Sequence, residues 1–83
     1  MNTSLRRIYV IEAGWVLAGF EKSRSSDELH ITDAVCVRRW GTTDGLGQLA
    51  LHGPTSNTVL DLCGEVHINP RHIRFYIECS GWK

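Results

Sequence analysis

Apolar and polar positions alternate with a period of two along most of this chain, the pattern of half-buried strands. Residues 8–11 form an unbroken β-favouring run, and residues 15–21 form a second after Glu12-Ala13-Gly14. A turn or bulge at Gly14 makes the two either a tight hairpin or one long bent strand. Residues 22–27 are the most polar stretch and predict an exposed loop. Leu29 and Ile31 then oppose His30 and Thr32, Asp33-Ala34 interrupts, and Val35 and Val37 oppose Cys36 and Arg38 up to Trp40 and Gly41. The one convincing helix follows. Thr42 or Thr43 caps it, Asp44 sits in its first turn, Leu46, Leu49 and Ala50 line one face, and Gly53-Pro54 stops it. Beyond it, residues 58–62 and 65–68 read as strands with Cys63-Gly64 as a hairpin turn between them, and Asn69-Pro70 is a break. The final strand is the clearest, with Ile73, Phe75, Ile77 and Cys79 on one side and His72, Arg74, Tyr76 and Glu78 on the other. A polar tail over residues 80–83 carries Trp82.

This order predicts a mainly β (α+β) single domain over residues 1–83. Its expected form is a small antiparallel, partly closed SH3-like or Sm-like barrel of about five to six strands with one short helix. An open α+β sheet is the alternative.

Composition narrows the function classes. Nine Lys and Arg balance nine Asp and Glu, giving a formal charge of zero. That argues against a general nucleic-acid coat, whose affinity comes from excess basic charge, and it favours self-association, including a homodimer. No apolar run reaches the roughly 20 residues that cross a bilayer, so no membrane role is expected. The N-terminal stretch lacks the uninterrupted apolar segment of a secretory signal. Three cysteines, Cys36, Cys63 and Cys79, cannot all pair within one chain. Reduced, buried thiols in a cytoplasm are therefore expected.

Candidate chemistry concentrates at Arg38, Arg39 and Trp40. Adjacent strand residues project to opposite faces, so only one arginine is expected on any given surface, the other lying near the core with Asp33, Asp44 or Asp61. The corner reads either as a pocket for a small planar anion or as structural packing around an ion pair and a buried indole. Residues 41–47 are glycine-rich but lack a phosphate-loop lysine, and Asp44 repels phosphate, so helix capping is the expected role. Cys63, His67 and His72 have only loose metal-ligand spacing, and no nucleophile elbow or paired-carboxylate site is evident; neither a metal, a cofactor nor catalysis is expected. Arg71, Arg74 and Tyr76 form a second basic and aromatic group, with His72 and Glu78 on the same strand face. Stacking and phosphate contact there make single-stranded nucleic acid a weaker candidate partner.

The run Arg38-Arg39-Trp40-Gly41-Thr42-Thr43-Asp44-Gly45-Leu46-Gly47-Gln48-Leu49-Ala50, with Gly53-Pro54-Thr55, resembles a family of small phage and prophage proteins. The resemblance extends to Gly14-Trp15-Val16, to Thr58-Val59-Leu60-Asp61 and to the last strand. No activity is attached to that family. It implies an accessory protein in the cytoplasm of a bacterial host, acting by stoichiometric binding on a host protein or defence complex, as a counter-defence (anti-CRISPR-type) factor does. A sponge for a signalling nucleotide, a small nucleic-acid binder and a virion component are the alternatives.

Overall fold

The computed structural model describes residues 5–83; the start of the N-terminal stretch weighed as a leader lies outside them. The elements are β1 (Arg7–Ile11), a 3₁₀ turn (Glu12–Gly14), β2 (Val16–Arg24), β3 (Leu29–Arg39), α1 (Leu46–His52), β4 (Val59–Ile68), a second 3₁₀ turn (Pro70–His72) and β5 (Ile73–Glu78). They form one antiparallel sheet in the order β4-β3-β2-β1-β5. The strand count is the lower of the two expected. β4 and β5 lie at opposite edges, so the sheet is bent but not closed into a barrel.

β1 and β2 make the hairpin alternative, turned by Ala13 at φ 69°. The two interruptions in the alternation resolve differently from the sequence reading. Cys63-Gly64 is not a hairpin turn: β4 runs straight through it, with Gly64 at φ 77°. β3 likewise continues through Asp33, at φ 51°. Both positions sit where the β3–β4 register slips, between Ile31↔Val66 and Val35↔Leu62. The slip inserts one residue into each strand and reverses which side chains face which way.

That reversal gives the sheet two cores. On one face Ile8, Val16, Ala18, Val35 and Val37 pack under Leu46, Leu49 and Ala50 of α1, with Cys79 and Trp82. On the other, Tyr9, Leu29, Ile31 and Ala34 gather with Ile11 of β1 and with Val66, Ile68 and Ile73 from the two edge strands. Tyr9, Leu29 and Ile31 are wholly buried there with no helix above them. Curvature of the sheet therefore does the covering.

The helix is capped otherwise than expected. No threonine or Asp44 carboxylate caps it; it starts at Leu46, and the Gln48 side chain reaches back to accept from the Asp44 N–H at 2.9 Å. Gly53 does close it, its N–H donating to the Leu49 carbonyl at 2.8 Å. The tail is not a polar appendage. Trp82 is 7% exposed and belongs to the helix-side core. The Arg6 guanidinium lies between the Phe20 and Trp82 rings, 4.6 and 4.8 Å from their centres, and donates to the Lys83 carbonyl at 2.7 Å. Gly81 passes so close to the end of α1 that a Cβ there would stand 1.6 Å from the Leu51 carbonyl oxygen.

The thiols are free but not uniformly buried: Cys79 is buried, Cys36 half-buried and Cys63 exposed on edge strand β4. Burial pushes the Cys79 thiol up to about 11 and raises that of Cys36. Native-state labelling with a chromogenic disulfide near pH 8 is expected to modify Cys63 first and Cys36 more slowly. Cys79 reacts only on unfolding; early Cys79 labelling would refute the packing of the tail. Gly81→Ala is expected to destabilise the fold by roughly 3 kcal/mol in urea titration. Gly47→Ala, in open space on the helix, stabilises it by up to about 1 kcal/mol.

Candidate functional site

The corner following β3 is built by two threonines. The Thr58 hydroxyl donates to the Trp40 carbonyl at 2.7 Å, and the Thr55 hydroxyl donates to the Gly41 carbonyl at 2.6 Å. The Thr55 N–H in turn donates to Thr58 Oγ1 at 2.8 Å. This turn lies so tightly against β3 that a Cβ on Gly41 would stand 2.4 Å from the Asn57 carbonyl carbon, and the Gly41 φ is 68°. Only glycine fits both demands. The end of β3 is thereby fixed to the start of β4.

The register slips once more between Val37 and Arg39, where Arg39 pairs with Val59. Strand alternation assigns the two arginines to opposite faces, yet both border one shallow hollow of about 170 Å³, with Val59 as a third wall. The expectation that only one arginine joins any surface fails here because of that slip. Nor is either arginine near the core. Arg38 does take Asp61, one of the three expected partners, at 2.6 Å, but the side chains are 64% and 48% exposed. Such a pair contributes little to stability. Among the described residues Arg39 has no ion pair. Trp40 is 42% exposed, not the buried indole of the structural alternative. Thr55, Thr58 and Val59 were not read as site residues, although the polar Thr55-Ser56-Asn57-Thr58 run carries a turn signal that could have pointed to the first two.

The glycine-rich loop spends its polar groups internally. The Thr42 hydroxyl donates to the Gly45 carbonyl at 2.7 Å, and the Thr43 hydroxyl to Gln48 Oε1 at 3.1 Å. Cys63, His67 and His72 do not converge; among the described residues no group of three or more His, Cys, Asp and Glu side chains is placed to hold a metal ion. His67 instead stacks on His30, ring centres 4.2 Å apart. His30 bonds Glu65 at 2.6 Å and His67 bonds Glu28, stapling the far end of β4 to β3 and the loop before it.

The second candidate group lies across the sheet from the first. Arg71 sits in the 3₁₀ turn, and Arg74 and Tyr76 are exposed on edge strand β5. Tyr76 packs against Tyr9, ring centres 5.9 Å apart, beneath the Arg7 guanidinium at 4.7 Å. Arg7 in turn bonds Glu21 at 2.8 Å and Glu78 at 3.3 Å. While remaining 46% exposed, the Tyr76 ring thus borders a charge-balanced network. Arg24 completes it, and its hydrogen bonds to Glu21 hold that carboxyl below its usual range.

A depressed carboxylate stabilises the fold above its unfolded value of about 4.3, and that stabilisation is lost as the pH falls through its lower folded value. Glu21→Gln is therefore expected to cost about 1 kcal/mol at neutral pH, discounted for partial exposure. The gap between variant and parent, followed by urea titration, closes below about pH 4. A gap independent of pH would place the cost in packing rather than charge.

No family model, curated protein or solved structure matches this chain, so the reading of the corner rests on its own geometry.

Proposed function

We infer that this protein works by binding rather than catalysis, and that the corner of Arg38, Arg39 and Trp40 is its recognition surface. One observation carries the reading: two exposed arginines line a single hollow, with the exposed Trp40 next in the chain, on a backbone fixed by Thr55 and Thr58. Arginine and tryptophan dominate the energetics of protein interfaces, and a pre-fixed backbone lowers the ordering cost of association.

Size selects the ligand. A hollow of about 170 Å³ is well below the roughly 300 Å³ at which small-molecule sites begin. It suits one carboxylate or phosphate group, not a whole nucleotide. The favoured occupant is an acidic side chain of a partner protein, held by charge-assisted hydrogen bonds. In the phage setting that the resemblance implies, the partner is a host defence protein in the bacterial cytoplasm, inhibited by stoichiometric binding. The strand order and the 3₁₀ turn between β4 and β5 support reading the bent sheet as an SH3-like or Sm-like roll.

The test is affinity capture from a bacterial host lysate, read by mass spectrometry, alongside phage plating on a strain carrying the defence system. Arg39→Glu and Trp40→Ala are each expected to abolish capture and protection while melting like the parent. Arg74→Glu, across the sheet, leaves both intact. Full activity in the two corner variants would sink the assignment.

A further inference from the structure

We propose that edge strand β4 pairs antiparallel with β4 of a second copy, joining two sheets into one across a two-fold axis near Leu62. β4 is ten residues long and, among the described residues, unpaired on its outer side. It contains no proline and no lysine, two usual guards of an exposed edge. Leu62 is 90% exposed, more than any other large apolar side chain described, and it lies near the strand's middle. The other edge, β5, is six residues long, and its Tyr76 and Glu78 are already engaged by Arg7.

Charge selects both the occupant and the direction. The beginning of β4 keeps a net positive charge, with Arg38 and Arg39 around Val59 and, among the described residues, only Arg38 paired, to Asp61. Its far half is acidic, with Glu65 on the strand and Glu28 tied to His67. Antiparallel pairing with an identical strand sets the basic end of each copy against the acidic end of its mate, and symmetry makes the contact twice. Parallel pairing would align like with like. A register centred on Leu62 places each Leu62 against its counterpart and Val59 opposite Glu65 of the mate. A two-fold axis normal to the sheet keeps the helix face of both copies on one side, and the zero formal charge leaves no net repulsion between copies.

The inference shares Arg39 with the corner reading and is separated from it by Leu62, which only the pairing uses. Sedimentation velocity of the full chain is expected to show a monomer–dimer equilibrium that does not grow further. Leu62→Lys, at a site too exposed to threaten folding, yields monomer. Arg39→Glu and Glu65→Arg each weaken the dimer about tenfold, and the double variant restores it. In a Cys63→Ser background, Leu62→Cys forms a covalent dimer on mild oxidation while Phe75→Cys does not. A chain that stays monomeric, a dimer indifferent to Leu62→Lys, or cross-linking through Phe75→Cys instead would overturn the proposal. Monomeric protein that still captures its partner through Arg39 would refute the pairing and leave the corner reading standing.

Discussion

The structure depends on a paired reversal of side-chain direction in β3 and β4. Leu29, Ile31, Val35 and Val37 occupy odd positions of one strand, and strict alternation would put all four on one face. The bulge at Asp33 divides them, sending the first two to the helix-free core and the last two beneath α1. β4 makes the matching switch at Gly64, so Leu60 packs on the helix side while Val66 and Ile68 pack on the other. Because both strands gain a residue together, the pairing keeps step on either side of the slip. A chain with one seven-residue helix can cover only one face of a sheet. Dividing the apolar side chains and bending the sheet over the remainder gives it a second core without a second layer.

This explains what was legible in the sequence. Period-two alternation located the strands because each half of β3 and β4 obeys it locally. The same alternation misread the joins, since a positive-φ residue inside a strand and a turn between strands leave the same mark of Gly, Asp or Asn in an apolar run. Cys63-Gly64 could not be told from a hairpin turn without knowing that Ala34 pairs across from Gly64. Trp82 was hidden for a related reason. Its neighbours Ser80, Gly81 and Lys83 are those of a solvated tail, and what ties it down is distant: Arg6 between Phe20 and Trp82, and the Gly81 N–H on the Ala50 carbonyl. The Arg6 contact spans nearly the whole chain, and neither leaves a local signature.

The candidate site divides along the same line. Its residue types were visible, and Arg38, Arg39 and Trp40 are where the exposed guanidinium and indole groups meet. Its geometry was not, because it depends on a second slip at the end of β3 and on Thr55 and Thr58 holding that slip in place. At β5 the grouped residues Arg71, His72, Arg74 and Tyr76 are all exposed. What the sequence did not mark is the contact of Tyr76 with Arg7 and of Arg7 with Glu21, residues distant along the chain.

The reversal in β4 also has a cost that bears on function. Around the switch at Gly64 on this edge strand, residues 61–65 are all exposed. Leu62, the most exposed large apolar side chain among the described residues, lies in that stretch. A bulge on an edge is ordinarily a guard, because the twist it adds turns the edge away from incoming strands. Gly64 lies just past Leu62, within the stretch that pairs, so the twist it adds ends the ladder a short way from the two-fold axis. An edge restricted in this way cannot template an indefinite stack. Pairing limited to a short, charge-selected stretch around a two-fold axis meets that restriction, because each edge is consumed by a single mate and the assembly stops at two.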